Sequence, residues 1–85
     1  MQTIDRHNIE IAHSFFHQKL RVYEFSTSET QRDDIEYAIS DYVSMMSEEL
    51  FGVISGGRSS FLKEHGTFES DLRTAILRMS SMLGL

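Results

Sequence analysis

Apolar residues recur at three- and four-residue steps along most of this chain, and the longest run organises the rest. From Ser28 to Ile54, the residues Ile35, Ala38, Ile39, Tyr42, Met46, Leu50 and Val53 form one stripe with the spacing of an amphipathic helix. Ser28, with Gln31 three residues on, predicts an N-cap with a reciprocal capping box, and Gly56–Gly57 offers a left-handed stop. The pattern predicts a central helix over residues 28–55. Before it, Ile9, Ala12, Phe16, Leu20 and Tyr23 share a second stripe capped by Asp5 or Asn8, which predicts a helix over 5–24. After Gly57, Ser59 or Ser60 opens a short helical turn over 59–65 that carries Phe61 and Leu62 and stops at Gly66. Thr67 then caps a last helix over 67–83. Glu69 and Asp71 lie in its first turn, Phe68, Leu72, Ala75, Ile76, Met79 and Leu83 share one face, and Gly84 ends it.

These elements predict an all-α fold: a small bundle of three main helices with a short helical turn between helices 2 and 3, in one domain over residues 1–85. Ser26-Thr27-Ser28 has the composition of a tight connection, so the first two helices are expected to form an antiparallel hairpin. Lys19 to Phe25 alternates well enough for a short strand, but no second strand-like run exists to pair with it. No proline interrupts any helix, and there is no internal repeat.

Size then changes the expected assembly. A chain of 85 residues buries only roughly 60–65 per cent of its unfolded surface, and it has no cysteine to add a disulfide or a thiolate metal site. Several large apolar residues also lie off the main stripes: Phe15 and Ile11 on the first helix, Tyr37 and Phe51 on the central one, and Phe61 with Leu62 after the glycines. Left together in water they would exceed the few hundred square ångströms of apolar patch usual for a monomer. The expectation is a homodimer, with Phe15, Tyr37, Phe51, Phe61 and Leu62 at the two-fold contact. Neither a basic region leading into an apolar run nor 18 consecutive apolar residues occurs, so no secretory signal and no membrane span are expected, and the protein is read as cytoplasmic.

Charge sharpens the choice of partner. The net charge is −5, and residues 26–56 carry seven acids against Arg32 alone. A surface bearing Asp33, Asp34, Glu36 and Asp41 repels a phosphate backbone and suits a basic protein surface. A helix-turn-helix reading of Ser59 to Met82 meets the same obstacle. The would-be recognition helix has only Arg73 and Arg78 as bases, and Glu69 and Asp71 stand where it should approach the groove. Nucleic acid is therefore disfavoured as a partner.

Candidate chemistry is sparse. Glu10, His13 and His17 fall on one stripe of the first helix, and Glu10 to His13 has the Glu-x-x-His spacing of diiron bundles. That is half a site, to which the central helix adds only Glu49 near its apolar face; no metal and no cofactor are expected. Ser44, Ser47, Ser59 and Ser60 are available beside histidines and acids, but there is no nucleophile elbow, zincin motif or phosphate-binding glycine loop. Gly56 to Ser60 is read as a helix stop and cap rather than an anion cradle, and Met45, Met46, Met79 and Met82 as core filling rather than a peptide groove. The functional expectation is a small non-enzymatic helical protein acting through protein–protein interaction, a regulatory or adaptor homodimer. The alternatives are a small DNA-binding transcriptional regulator, a carboxylate-histidine metal-binding bundle, and a structural or assembly subunit.

Overall fold

Local capping sets the helix starts. In a computed structural model, which describes residues 5–85, Asp5 accepts a hydrogen bond from the His7 amide (3.0 Å) and opens α1 (Arg6–Phe25). Ser28 accepts from the Gln31 amide (3.3 Å) and opens α2 (Glu29–Met45). The Gln31 side chain does not complete the capping box. It accepts from the Ser26 hydroxyl (3.0 Å) and so ties the hairpin turn together. Two further helices follow, α3 (Glu48–Ser55) and α4 (Phe68–Leu83), with a 3-10 turn at His65–Thr67. All described residues are helical or irregular; the fold is a small all-α bundle of four helices.

The central helix expected over 28–55 is two helices. Met46 takes an extended conformation (ψ 152°), and Ser47 then caps α3 by accepting from the Leu50 amide (3.2 Å), with Glu48 and Glu49 in the favourable first turn. The buried stripe across the two helices is Ile35, Ile39, Val43, Leu50 and Ile54. Val43 and Ile54 are buried in place of Tyr42 and Val53, which are respectively half-buried and exposed. Gly56 does end α3 in the left-handed region (φ 64°), where Arg78 donates to the Ile54 carbonyl (2.6 Å) and satisfies one of the orphan acceptors.

The core lies where α1 meets α2 and α4. α1 and α4 run antiparallel: Arg6 donates to the Leu83 carbonyl (3.1 Å) at one end, and the Tyr23 and Phe68 rings pack 5.2 Å apart at the other. Ile9, Ala12, Phe16 and Tyr23 of α1 are buried against Ile35, Ile39 and Val43 of α2 and against the whole expected face of α4. Phe15 and Phe16 both pack on Tyr42, the first stacked at 4.7 Å, as an antiparallel α1–α2 hairpin requires.

The helical turn expected over 59–65 is a series of non-helical turns, and neither Ser59 nor Ser60 caps a helix there. A buried carboxylate orders it instead. Asp71 of α4 accepts from the Leu62 amide (2.9 Å), the Thr67 hydroxyl (3.2 Å) and the Arg58 guanidinium. Thr67 therefore spends its hydroxyl on Asp71 and makes no side-chain cap of its own, contrary to the sequence expectation. This carboxylate holds Phe61 and Leu62 down into the core, Leu62 in the left-handed region (φ 63°).

Removing the carboxylate leaves the Leu62 amide without an acceptor and Arg58 without a counter-charge. Asp71→Ala is expected to cost on the order of 3 kcal/mol in urea unfolding, and Asp71→Asn, which keeps an acceptor, about half of that. A loss below ~1 kcal/mol for the alanine variant would show that the loop is held by its apolar side chains alone.

Candidate functional site

One face of α2 points away from everything else. At about 100° per residue, Ile35, Ile39 and Val43 centre on the core, and Asp34, Tyr37, Asp41 and Met45 fall on the opposite side. Tyr37 is 75 % exposed and Met45 74 % exposed. Beyond Met45 the surface continues into a shallow groove of about 300 Å³ between α1 and α2, which Ile11, Tyr42 and Met46 also line. This exposed stripe carries acid, aromatic, acid and methionine in turn. It has the aromatic and methionine content of an interaction surface.

The four acids assigned to partner binding divide. Asp33, Asp34 and Asp41 are exposed, while Glu36 is half-buried and already accepts from the Tyr23 hydroxyl (2.9 Å) and from His65 Nδ1 (2.7 Å). The residues assigned to a dimer contact divide as well. Tyr37 is exposed, and Phe15 and Phe51 are half-buried at the edge of the core, Phe51 against Phe61. Phe61 and Leu62 are fully withdrawn, at 2 % and 1 % exposure, because the loop anchored on Asp71 folds inward over the core. The apolar excess that the sequence assigned to a second copy is thus met in part by the chain itself.

The histidine stripe of α1 does not converge on a metal. Glu10 pairs with Arg6 (3.4 Å), His13 Nε2 lies 2.8 Å from the Ser80 hydroxyl, and His17 stacks on His13 with ring centroids 6.2 Å apart. Beside them runs an open groove of about 850 Å³ that reaches Val22 and Phe25. The His13–Ser80 pair is the nearest approach to a nucleophile and its base. Ser80 sits inside α4, where neighbouring amides are spent on helix hydrogen bonds and none is aimed as an oxyanion donor, and Glu10 is turned to Arg6 rather than to the imidazole.

A different group does converge. Among the described residues, Asp33, Glu36 and His65 bring one donor atom each within 4.8 Å of one another, two from adjacent turns of α2 and one from the 3-10 turn. Tyr23 stands behind Glu36 and holds its carboxylate. Burial first, then the Glu36 hydrogen bond and its negative charge, push the Tyr23 phenol from 10.0 up to about 12, so it remains a donor across the physiological range. Sequence reasoning missed His65 and Tyr23 because their partners lie 29 and 13 residues away. The only sequence signal for the site was Asp33–Glu36 at helical spacing.

No protein-family model matches the chain, and neither the curated proteins nor the solved structures yield a match. No helix among the described residues is long and apolar enough to cross a membrane.

The raised Tyr23 pKa makes a pH prediction. A phenol that ionises at about 12 when folded and 10.0 when unfolded contributes stability in full below pH 10, lost as pH rises to 12. The sum is on the order of 2 kcal/mol, to which Tyr42, also raised by burial, adds in the same direction. Tyr23→Phe should therefore lower stability at pH 7 by roughly 1 kcal/mol and flatten the fall above pH 10, read by urea midpoints at each pH. An unchanged slope in the variant would assign the alkaline loss elsewhere.

Proposed function

We propose that this chain is a non-enzymatic interaction protein, a regulatory or adaptor homodimer that pairs through the outer face of α2 and captures a basic protein surface with the acids at its rim. The observation that carries this reading is the Asp34–Tyr37–Asp41–Met45 stripe, continuous with Ile11 on α1. Tyr37, Met45 and Ile11 each contribute about 1.5–3 kcal/mol when fully buried, and a two-fold contact counts each twice. That sum is of the same order as the roughly 4–15 kcal/mol cost of association, so these side chains support a weak pairing that depends on protein concentration. Phe15 and Phe51 add only their exposed edges.

The basic side chains support a protein partner over nucleic acid. Arg6, Arg32, Arg58, Arg73 and Arg78 are already engaged with Leu83, Ser26, Asp71, Glu24 with Glu69, and Ile54 respectively. Arg73 and Arg78, the two bases on which a DNA-reading helix would depend, are both among them. The exposed acids Asp33, Asp34 and Asp41 have no such commitments to cations among the described residues. Their field acts chiefly on the rate of encounter.

Sedimentation equilibrium from about 1 to 100 μM tests the pairing. A mass that rises from one chain to two is expected, and Tyr37→Asp with Met45→Asp should hold it at one chain without loss of helicity, since both residues lie outside the core. A one-chain mass at every concentration would rule the dimer out. For the acidic rim, a partner co-purified from the native host should associate more slowly as salt rises; an on-rate independent of salt would remove the steering role.

A further inference from the structure

We propose that Asp33, Glu36 and His65 form a binding site for one divalent cation of the Zn²⁺ class, which staples the loop before α4 to the middle of α2. The site does not depend on the dimer. An imidazole nitrogen with two carboxylate oxygens is a borderline donor set, suited to Zn²⁺, Co²⁺ or Ni²⁺ rather than to Ca²⁺ or Mg²⁺, which prefer oxygen alone. Zinc holds such ligands at about 2.0–2.2 Å, so donors around one tetrahedral ion stand about 3.3 Å apart. The three donors lie within 4.8 Å of one another, and His65 Nδ1 and Glu36 Oε2 within 2.7 Å. Closing onto an ion needs only side-chain rotation at Asp33 and His65, both exposed, and a slight opening of the His65–Glu36 pair.

Three features distinguish this group from an ordinary acidic patch. The imidazole comes from a separate element and already points its ring nitrogen at the carboxylate that would share the ion. Asp33 and Glu36 are at i, i+3, so the two carboxylates project from one side of a rigid helix. Glu36 has only 19 % of its side chain exposed, and the Tyr23 hydroxyl donates to it at 2.9 Å. This is the outer-shell hydrogen bond that orients a metal-bound carboxylate. On binding, the hydrogen bond from His65 Nδ1 to Glu36 is replaced by coordination at Nδ1, with the imidazole proton carried on Nε2. Three protein ligands leave one tetrahedral position for water, or for a donor from a bound partner. A staple between residues 36 and 65 also suits a chain without cysteine, whose 56–67 segment is otherwise held to the bundle by Asp71 and two apolar side chains.

The test titrates zinc chloride alone into chelator-stripped full-length protein, with calorimetry for stoichiometry and Co²⁺ absorption for ligand geometry. One ion per chain and a rise in melting temperature with zinc concentration are expected. His65→Ala should weaken binding at least about a hundredfold, Asp33→Asn about tenfold or more, and Tyr23→Phe by about tenfold through loss of carboxylate orientation. His13→Ala and His17→Ala should change nothing. Asp33 and His65 are exposed and outside the core, so their variants should keep the helical circular dichroism of the parent, and each tests the site without the other. Dissociation constants above 1 mM, or binding that survives both His65→Ala and Asp33→Asn, would overturn the proposal, as would binding lost in the α1 histidine variants instead.

Discussion

The fold turns on one buried oxygen. Asp71 Oδ2 receives the Leu62 amide, the Thr67 hydroxyl and the Arg58 guanidinium, three donors from a segment with no regular ladder to satisfy its own backbone. An unpaired amide at that depth would cost about 1–3 kcal/mol, and Leu62 also bears the penalty of a left-handed conformation that a branched side chain seldom adopts. Both are tolerated because the geometry delivers Phe61 and Leu62 into the core between α3 and α4. Sequence logic placed the same two residues at a contact surface instead.

Where the anchored loop ends, the 3-10 turn sets His65 beside Glu36, so the carboxylate that orders the loop also determines which acids of α2 have a neighbour. The consequence for the surface is a division of labour along α2. The Asp33–Glu36 side faces the turn and Tyr23, whereas the Asp34–Tyr37–Asp41–Met45 side faces outward. A ligand on the first side and a partner on the second would share a helix, with Asp33 the one exposed acid that serves both. Three arginines meanwhile donate to backbone carbonyls of the bundle: Arg6 and Arg78 close the carbonyl ends of α4 and α3, and Arg32 lies over the Tyr23 ring and donates to Ser26.

Much of the core was legible in the residues alone. The α1 stripe of Ile9, Ala12, Phe16 and Tyr23, and the α4 face from Phe68 to Leu83, are buried as their 3.6-residue spacing requires, and the stops at Gly56 and Gly84 take the left-handed conformation expected of them. Such features depend on contacts within a few residues, which periodicity and capping record directly. The division of the central helix was half legible. Ser47 followed by Glu48 and Glu49 is a helix-start signal, but Met46 and Leu50 continue the four-residue step and mask it. Local pattern permits both a continuous and a broken helix there, because Val43 and Ile54, eleven residues apart, share a face in either case; the extended conformation of Met46 makes the break.

Tertiary structure alone decided the candidate sites. Asp71 looked like a first-turn helix acid and is the anchor of a loop; Phe61 and Leu62 looked like contact residues and are core; Glu36 looked like a free surface charge and is held by Tyr23 and His65. In each case the deciding partner lies 9 to 29 residues away in another element, a pairing that no periodicity encodes. The sequence by itself determined the helices, their caps and their buried faces, since these follow from near neighbours. Which polar groups meet was left to the packed chain, because a hydrogen bond between distant elements exists only once the apolar faces have fixed their separation.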